Sequence, residues 1–114
     1  MEQADRDIDH LEMIVGTIKA IHRHLAKLTK AQFEEESDDI DLLAFRLSQI
    51  GEITNRLSPE LKQSSPEIPW RAIAGMRNLI VHEYRRVVPG RLWDTAVSEL
   101  EALHSFCESE LKRL

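Results

Sequence analysis

Residues 8–28 read IDHLEMIVGTIKAIHRHLAKL, and their spacing decides the fold class. Ile8, Leu11, Val15, Ile18, Ile21, Leu25 and Leu28 step by threes and fours, the interval at which one face of an α-helix returns. Asp5 or Asp7 suits its N-terminus, where a carboxylate meets unsatisfied N–H groups. The same spacing recurs downstream. Ser37 is expected to cap a second helix with Asp38 and Asp39 in its first turn, and Ile40, Leu43, Leu47, Ile50, Thr54 and Leu57 form its apolar face as far as Ser58-Pro59. Two prolines and two serines within residues 64–69 mark a loop, because they favour turn geometry. Pro69 then suits the first turn of a third helix over residues 70–84. Pro89-Gly90 ends the next connector, and a last helix over 91–114 carries Leu92, Ala96, Leu100, Leu103, Cys107 and Leu111 on one side. No stretch alternates as a strand would. The expectation is one all-α domain over residues 1–114, an antiparallel bundle of four to five helices, the fifth a short one near residues 31–36. Gly75 interrupts the third helix at a cost of about 1 kcal/mol against alanine, so its expected use is a close helix approach.

Composition narrows the function. A chain of 114 residues buries only a modest core. A homodimer is therefore expected, with Trp70, Ile73 and Leu79 as apolar residues near the candidate site. Trp70 and Trp93 read as core or dimer anchors rather than stacking platforms. No segment approaches the roughly 20 apolar residues of a membrane span, and the charged first residues lack an apolar signal core. The single cysteine, Cys107, excludes an internal disulfide and fits a reducing compartment. A cytoplasmic protein without membrane contact is the expectation. Cys107 itself falls at a core spacing and reads as a small buried hydrophobe. The net charge of −5 argues against a general nucleic-acid coat. Charge is uneven, however. Residues 71–91 hold five arginines and one acid, whereas residues 34–41 hold six acids and no base. The basic stretch fits a short piece of RNA or an acidic partner.

Chemistry concentrates in residues 77–84, Arg-Asn-Leu-Ile-Val-His-Glu-Tyr. Arginine presents phosphate with a planar fork of donors. Histidine exchanges protons near pH 7. Together Arg77 and His82 are a minimal kit for cutting a ribose–phosphate backbone without a metal. Their spacing of five residues turns them about 140° apart on one continuous helix. A joint site therefore needs the helix to end near His82, or two copies to meet. Asn78 and His82, four apart, share a face, and Arg77 and Tyr84 share another. A duller reading is a helix end whose cations meet the C-terminal dipole. The other histidines, His10, His22, His24 and His104, do not pair at the four-residue spacing of a helical metal site. Neither a metal nor a cofactor is expected.

Residues 66–71 (Pro-Glu-Ile-Pro-Trp-Arg), then Gly75-Met76-Arg77-Asn78, then Val81-His82-Glu83-Tyr84, resemble the HepT-like (DUF86) branch of the HEPN superfamily. Ile50-Gly51-Glu52 and Arg56-Leu57-Ser58 are similar to that family's second main helix. The hallmark is arginine, a polar residue, a spacer and His-x-Tyr, met here by Arg77, Asn78, His82 and Tyr84. One departure lies upstream, in the cationic His22-Arg23-His24. The resemblance implies an α-helical homodimer whose motifs face one another across a cleft. It implies a metal-independent endoribonuclease, the toxin of a type II or type VII-like toxin–antitoxin system. The partner it implies is an MNT-type nucleotidyltransferase antitoxin able to adenylylate Tyr84. On that reading Arg77 holds the scissile phosphate, His82 is the acid or base, and Asn78 orients it or contacts substrate. Arg71, Arg85 and Arg86 are the candidate substrate-binding cations, and Arg85 and Arg86 are also placed to receive a triphosphate at Tyr84. Two alternatives stay open: a non-catalytic helical binding module that partners a nucleotidyltransferase, and a structural subunit whose motif only builds an interface.

Overall fold

The apolar stripe of residues 8–28 folds as α1 (Gln3–Leu25) in the computed structural model, which describes residues 2–113. Leu11, Ile14, Val15, Ile18, Ile21 and Leu25 are buried along it, with Ile8 and Leu28 half-buried at its ends. Asp7 does not cap the helix. It sits in the second turn, buried, and accepts hydrogen bonds from the Ser58 N–H (3.0 Å) and hydroxyl (2.6 Å). That bond ties α1 to the start of α4 (Pro59–Gln63), whose N-cap is Ser58. No helix was expected over these five residues.

The short extra helix is α2 (Lys30–Glu35), started by a reciprocal cap: Thr29 Oγ1 accepts from the Gln32 N–H, and Gln32 Oε1 accepts from the Thr29 N–H. Its Phe33 is fully buried against Trp93. The second long helix is α3 (Ser37–Asn55), with Glu36 rather than Ser37 at the N-cap position and no side-chain cap bond, and with Asp38 and Asp39 in the first turn. The third is α5 (Trp70–Glu83), followed by a 3₁₀ turn, Tyr84–Arg86.

The last helix differs from expectation. Pro89 and Gly90 do not end a connector; they open α6 (Pro89–Asp94). A π-helical turn over Thr95–Glu99 then separates α6 from α7 (Glu101–Arg113). Leu92, Ala96 and Leu100, four apart, are all buried across this change of helix type.

No strand occurs among the described residues, and the architecture is an all-α bundle. The most extensive packing is α3 on α5, followed by α1 on α7 and on α3. Close approach of α3 and α5 is made by Gly51, not Gly75. A Cβ on Gly51 would lie 2.9 Å from both the Arg77 nitrogen and the Ile73 carbonyl oxygen, whereas one on Gly75 would meet nothing within 4 Å. Among the described residues no glycine has a positive φ, so space rather than backbone freedom is what Gly51 supplies. No helix among the described residues is long and apolar enough to cross a membrane.

Candidate functional site

Helix α5 carries most of the candidate residues and is lightly buried. Only Ile73 and Ile80 are buried along it. Ile73 therefore belongs to the chain's own core and is not available as an apolar contact for a second copy. Trp70 is half-buried, edge-on to Phe106 at 5.1 Å, with its indole N–H bonded to the Ser65 carbonyl. Leu79 and Val81 are exposed.

Arg77 leaves α5 where that helix lies against Gly51 of α3. Its side chain is 44 % exposed, with Nε 3.5 Å from Glu52 Oε2, and its Nη1 donates to Asn78 Oδ1 at 3.1 Å. Glu52 also pairs with Arg56 (3.2 Å). One carboxylate thus steadies two guanidinium groups. The pairing of Glu52 with Arg56 is readable as an (i, i+4) pattern. Its pairing with Arg77 is not, because it depends on the α3–α5 register.

His82 lies in the last turn of α5, exposed and without a hydrogen-bond partner among the described residues. The helix is continuous from Arg77 to His82 and ends one residue later, at Glu83. On that stretch the positions of Arg77 and His82 are turned about 140° apart. The Tyr84 phenol, part-exposed, donates a hydrogen bond to the Asp41 carboxylate of α3. The tyrosine is thus held against α3. Arg85 is exposed, and Arg86 is exposed with Nε 3.6 Å from Glu83 Oε2.

Beside Arg77 opens a cavity of about 650 Å³ between α3, α4 and α5. Arg71, Arg77 and Asn78 share its wall with Lys62, which sequence reasoning had not singled out. His82, Tyr84 and Arg85 lie outside that wall. Arg86 lines a second cavity, of about 350 Å³, with Leu79, Glu83 and Val88. Elsewhere His24 bonds Asp39 of α3 at 2.8 Å, and His22 stands edge-on to His104 at 5.9 Å, so these histidines join helices. No group of three or more metal-ligand side chains gathers among the described residues. Cys107 is buried, and that burial pushes its thiol up to about 12, with the neighbouring Glu108 charge adding to the effect.

Comparison with known proteins agrees with this helical frame. Residues 14–110 match the family described as Ribonuclease HepT-like. A relative from Thermococcus cleftensis, named as a probable ribonuclease HepT, is 30% identical over 95 residues, covering 83% of this chain and 86% of that one. A relative from Caldanaerobacter subterraneus, named as an inferred RNase, is 33% identical over 67 residues, covering 59% of this chain and 60% of its own length. Another inferred RNase, from Methanocaldococcus jannaschii, is 31% identical over 68 residues, or 60% and 59% of the two chains. The alignment thus spans about three-fifths of two of these relatives. No solved structure matches the chain.

Proposed function

The chain belongs to the HepT-like ribonuclease family, and from that premise we propose a metal-independent endoribonuclease whose site is built from two copies of α5. The observation that carries this reading is the pairing of an exposed, steadied Arg77 with an exposed, unpartnered His82 on one unbroken helix. Their divergence supports a composite site: arginine from one protomer and histidine from the other converge where single copies do not. In that site His82 takes the proton from a ribose 2′-OH. The freed oxygen attacks the adjacent phosphorus, the bond to the 5′-oxygen breaks, and a protonated imidazole returns a proton to the leaving oxygen. Arg77 stabilises charge on the non-bridging oxygens. Asn78, already bonded to Arg77, steadies the guanidinium.

The same reading makes the protein the toxin of a toxin–antitoxin pair that works in the cytoplasm and is neutralised by an MNT-type nucleotidyltransferase. Tyr84 is the residue that partner modifies. Its phenolic oxygen attacks the α-phosphorus of ATP, pyrophosphate leaves, and the added adenylate brings bulk and negative charge to the end of α5. Arg85 and Arg86 support this by offering cations to the incoming triphosphate.

The test is cleavage of RNA by purified protein. Arg77→Ala and His82→Ala should each cut roughly 100- to 10,000-fold more slowly, the usual loss of a positioned acid or base, with helix content unchanged and chelator without effect on wild type. Either variant cutting at the wild-type rate would remove that residue from the site. For Tyr84, a mass increase of one adenylate after incubation with ATP and the nucleotidyltransferase, absent from Tyr84→Phe, is the expected result.

A further inference from the structure

We infer that the cavity between α3, α4 and α5 is a subsite for a nucleoside monophosphate unit, the nucleotide that flanks the phosphate held by Arg77 when single-stranded RNA is bound. The last clause rests on the ribonuclease reading; the affinity of the cavity for a nucleotide does not.

Charge is the first argument. Lys62, Arg71 and Arg77 line the cavity against one acid, Glu52. That carboxylate is already shared between Arg77 and Arg56. Lys62 and Arg71 have no acidic partner among the described residues, so two cations face an open hollow uncompensated. In a chain with a net charge of −5, such a pocket concentrates an anion locally. The second argument is the polar chemistry of the wall. Asn55 and Gln63 stand on it, and a side-chain amide both donates and accepts. A nucleobase edge needs that combination and a bare phosphate does not. Trp70, read above as an anchor and packed edge-on to Phe106, also reaches this wall, where an aromatic side chain suits a planar base. Size is the third. About 650 Å³ falls in the range of small-molecule sites, roughly 300–1,000 Å³.

The floor supplies an independent observation. Gly75 stands in the middle of α5 and lines the cavity, with nothing within 4 Å of where its Cβ would be. It has no positive φ and makes no close helix contact. A glycine there costs helix stability and returns only open space above the backbone. A base lying on that backbone uses the space.

The experiment measures binding to His82→Ala protein, so that no probe is cut. The probes are AMP, UMP, a 2′-O-methyl tetranucleotide and inorganic phosphate. The monophosphates should bind and compete with the tetranucleotide, while inorganic phosphate at the same concentration should not. Gly75→Leu fills the floor and should weaken nucleotide binding by about tenfold or more, as should Lys62→Gln with Arg71→Gln. Circular dichroism reports whether the leucine variant folds; if it does not, the double glutamine variant decides. Unchanged affinity in the folded variants, or competition by phosphate equal to that of the nucleotides, would overturn the subsite. If wild type cuts no RNA yet nucleotide binding depends on Gly75, the subsite stands and the catalytic reading falls. If wild type cuts RNA and Gly75→Leu cuts at the same positions with the same KM, the subsite falls alone.

Discussion

Asp7 accepts two hydrogen bonds from Ser58, 51 positions away, and a third from Gln3. Removing its carboxylate strands a buried N–H and a buried hydroxyl, each a costly orphan. Asp7→Ala is expected to destabilise the fold by about 2–3 kcal/mol, read as a lower urea midpoint at constant slope, and Asp7→Asn, which keeps one acceptor, by less. Cys107 gives the second prediction at this scale. Its thiol is pushed up to about 12 by burial, above the value near 8.5 of an unfolded chain. Between those values the unfolded state has lost a proton that the native state keeps. Unfolding then binds fewer protons, so stability falls as pH rises through that window, by up to about 1.4 kcal/mol per pH unit from this group. Below pH 8 the group contributes no slope. Cys107→Ala, compared with wild type across pH 8–11, should show a shallower decline. The wild-type thiol should react with a thiol reagent only on unfolding.

Two glycines distinguish the elements. On α5, Gly75→Ala adds a methyl to open space and should stabilise by about 0.5–1 kcal/mol. On α3, Gly51→Ala drives a Cβ to 2.9 Å from backbone atoms of α5, which no rotamer change relieves; a net loss of about 1–3 kcal/mol is expected. Denaturant midpoints moving in opposite directions check the pair, and a destabilised Gly75→Ala would contradict the open floor. The same two residues show what a sequence can and cannot reveal. The helices α1, α3 and α5 were legible because their apolar residues repeat every three or four positions, and the short α2 was anticipated at nearly the right place. Which glycine meets a neighbour was not, because contact depends on the register of α3 against α5, a property of two segments together. The π turn escaped because Leu92, Ala96 and Leu100 fit an ordinary helical spacing, and no local feature of the sequence marks the wider turn. At the site, Arg77, Asn78, His82 and Tyr84 stood out by residue type and by resemblance. Lys62 and Asp41, which flank them, come from other helices and were not singled out; Glu52 was marked by resemblance, but its contact with Arg77 depends on the α3–α5 register and left no local signal.

For the molecule as a whole, the decisive geometry is that α5 continues unbroken through His82. One chain then turns the positions of Arg77 and His82 about 140° apart, whereas the proposed reaction needs both at one phosphate. A two-fold arrangement resolves this, since each surface of α5 then meets its counterpart. Leu79 and Val81, 55% and 53% exposed, supply apolar area for such a contact in place of Ile73, which the protomer's own core has taken. Light scattering at tens of micromolar should accordingly report a dimer. A sharper test mixes two inactive proteins. Arg77→Ala and His82→Ala, unfolded together and refolded at equal concentration, form mixed dimers as half of the population. In each mixed dimer one composite site has both its arginine and its histidine, and the other has neither. The mixture should recover about a quarter of the wild-type rate, while each variant refolded alone stays inactive. Recovery absent from a mixture shown by mass spectrometry to contain mixed dimers would mean that both groups act from the same chain. The C-terminal turn of α5 would then have to open for catalysis, and the composite site would be wrong.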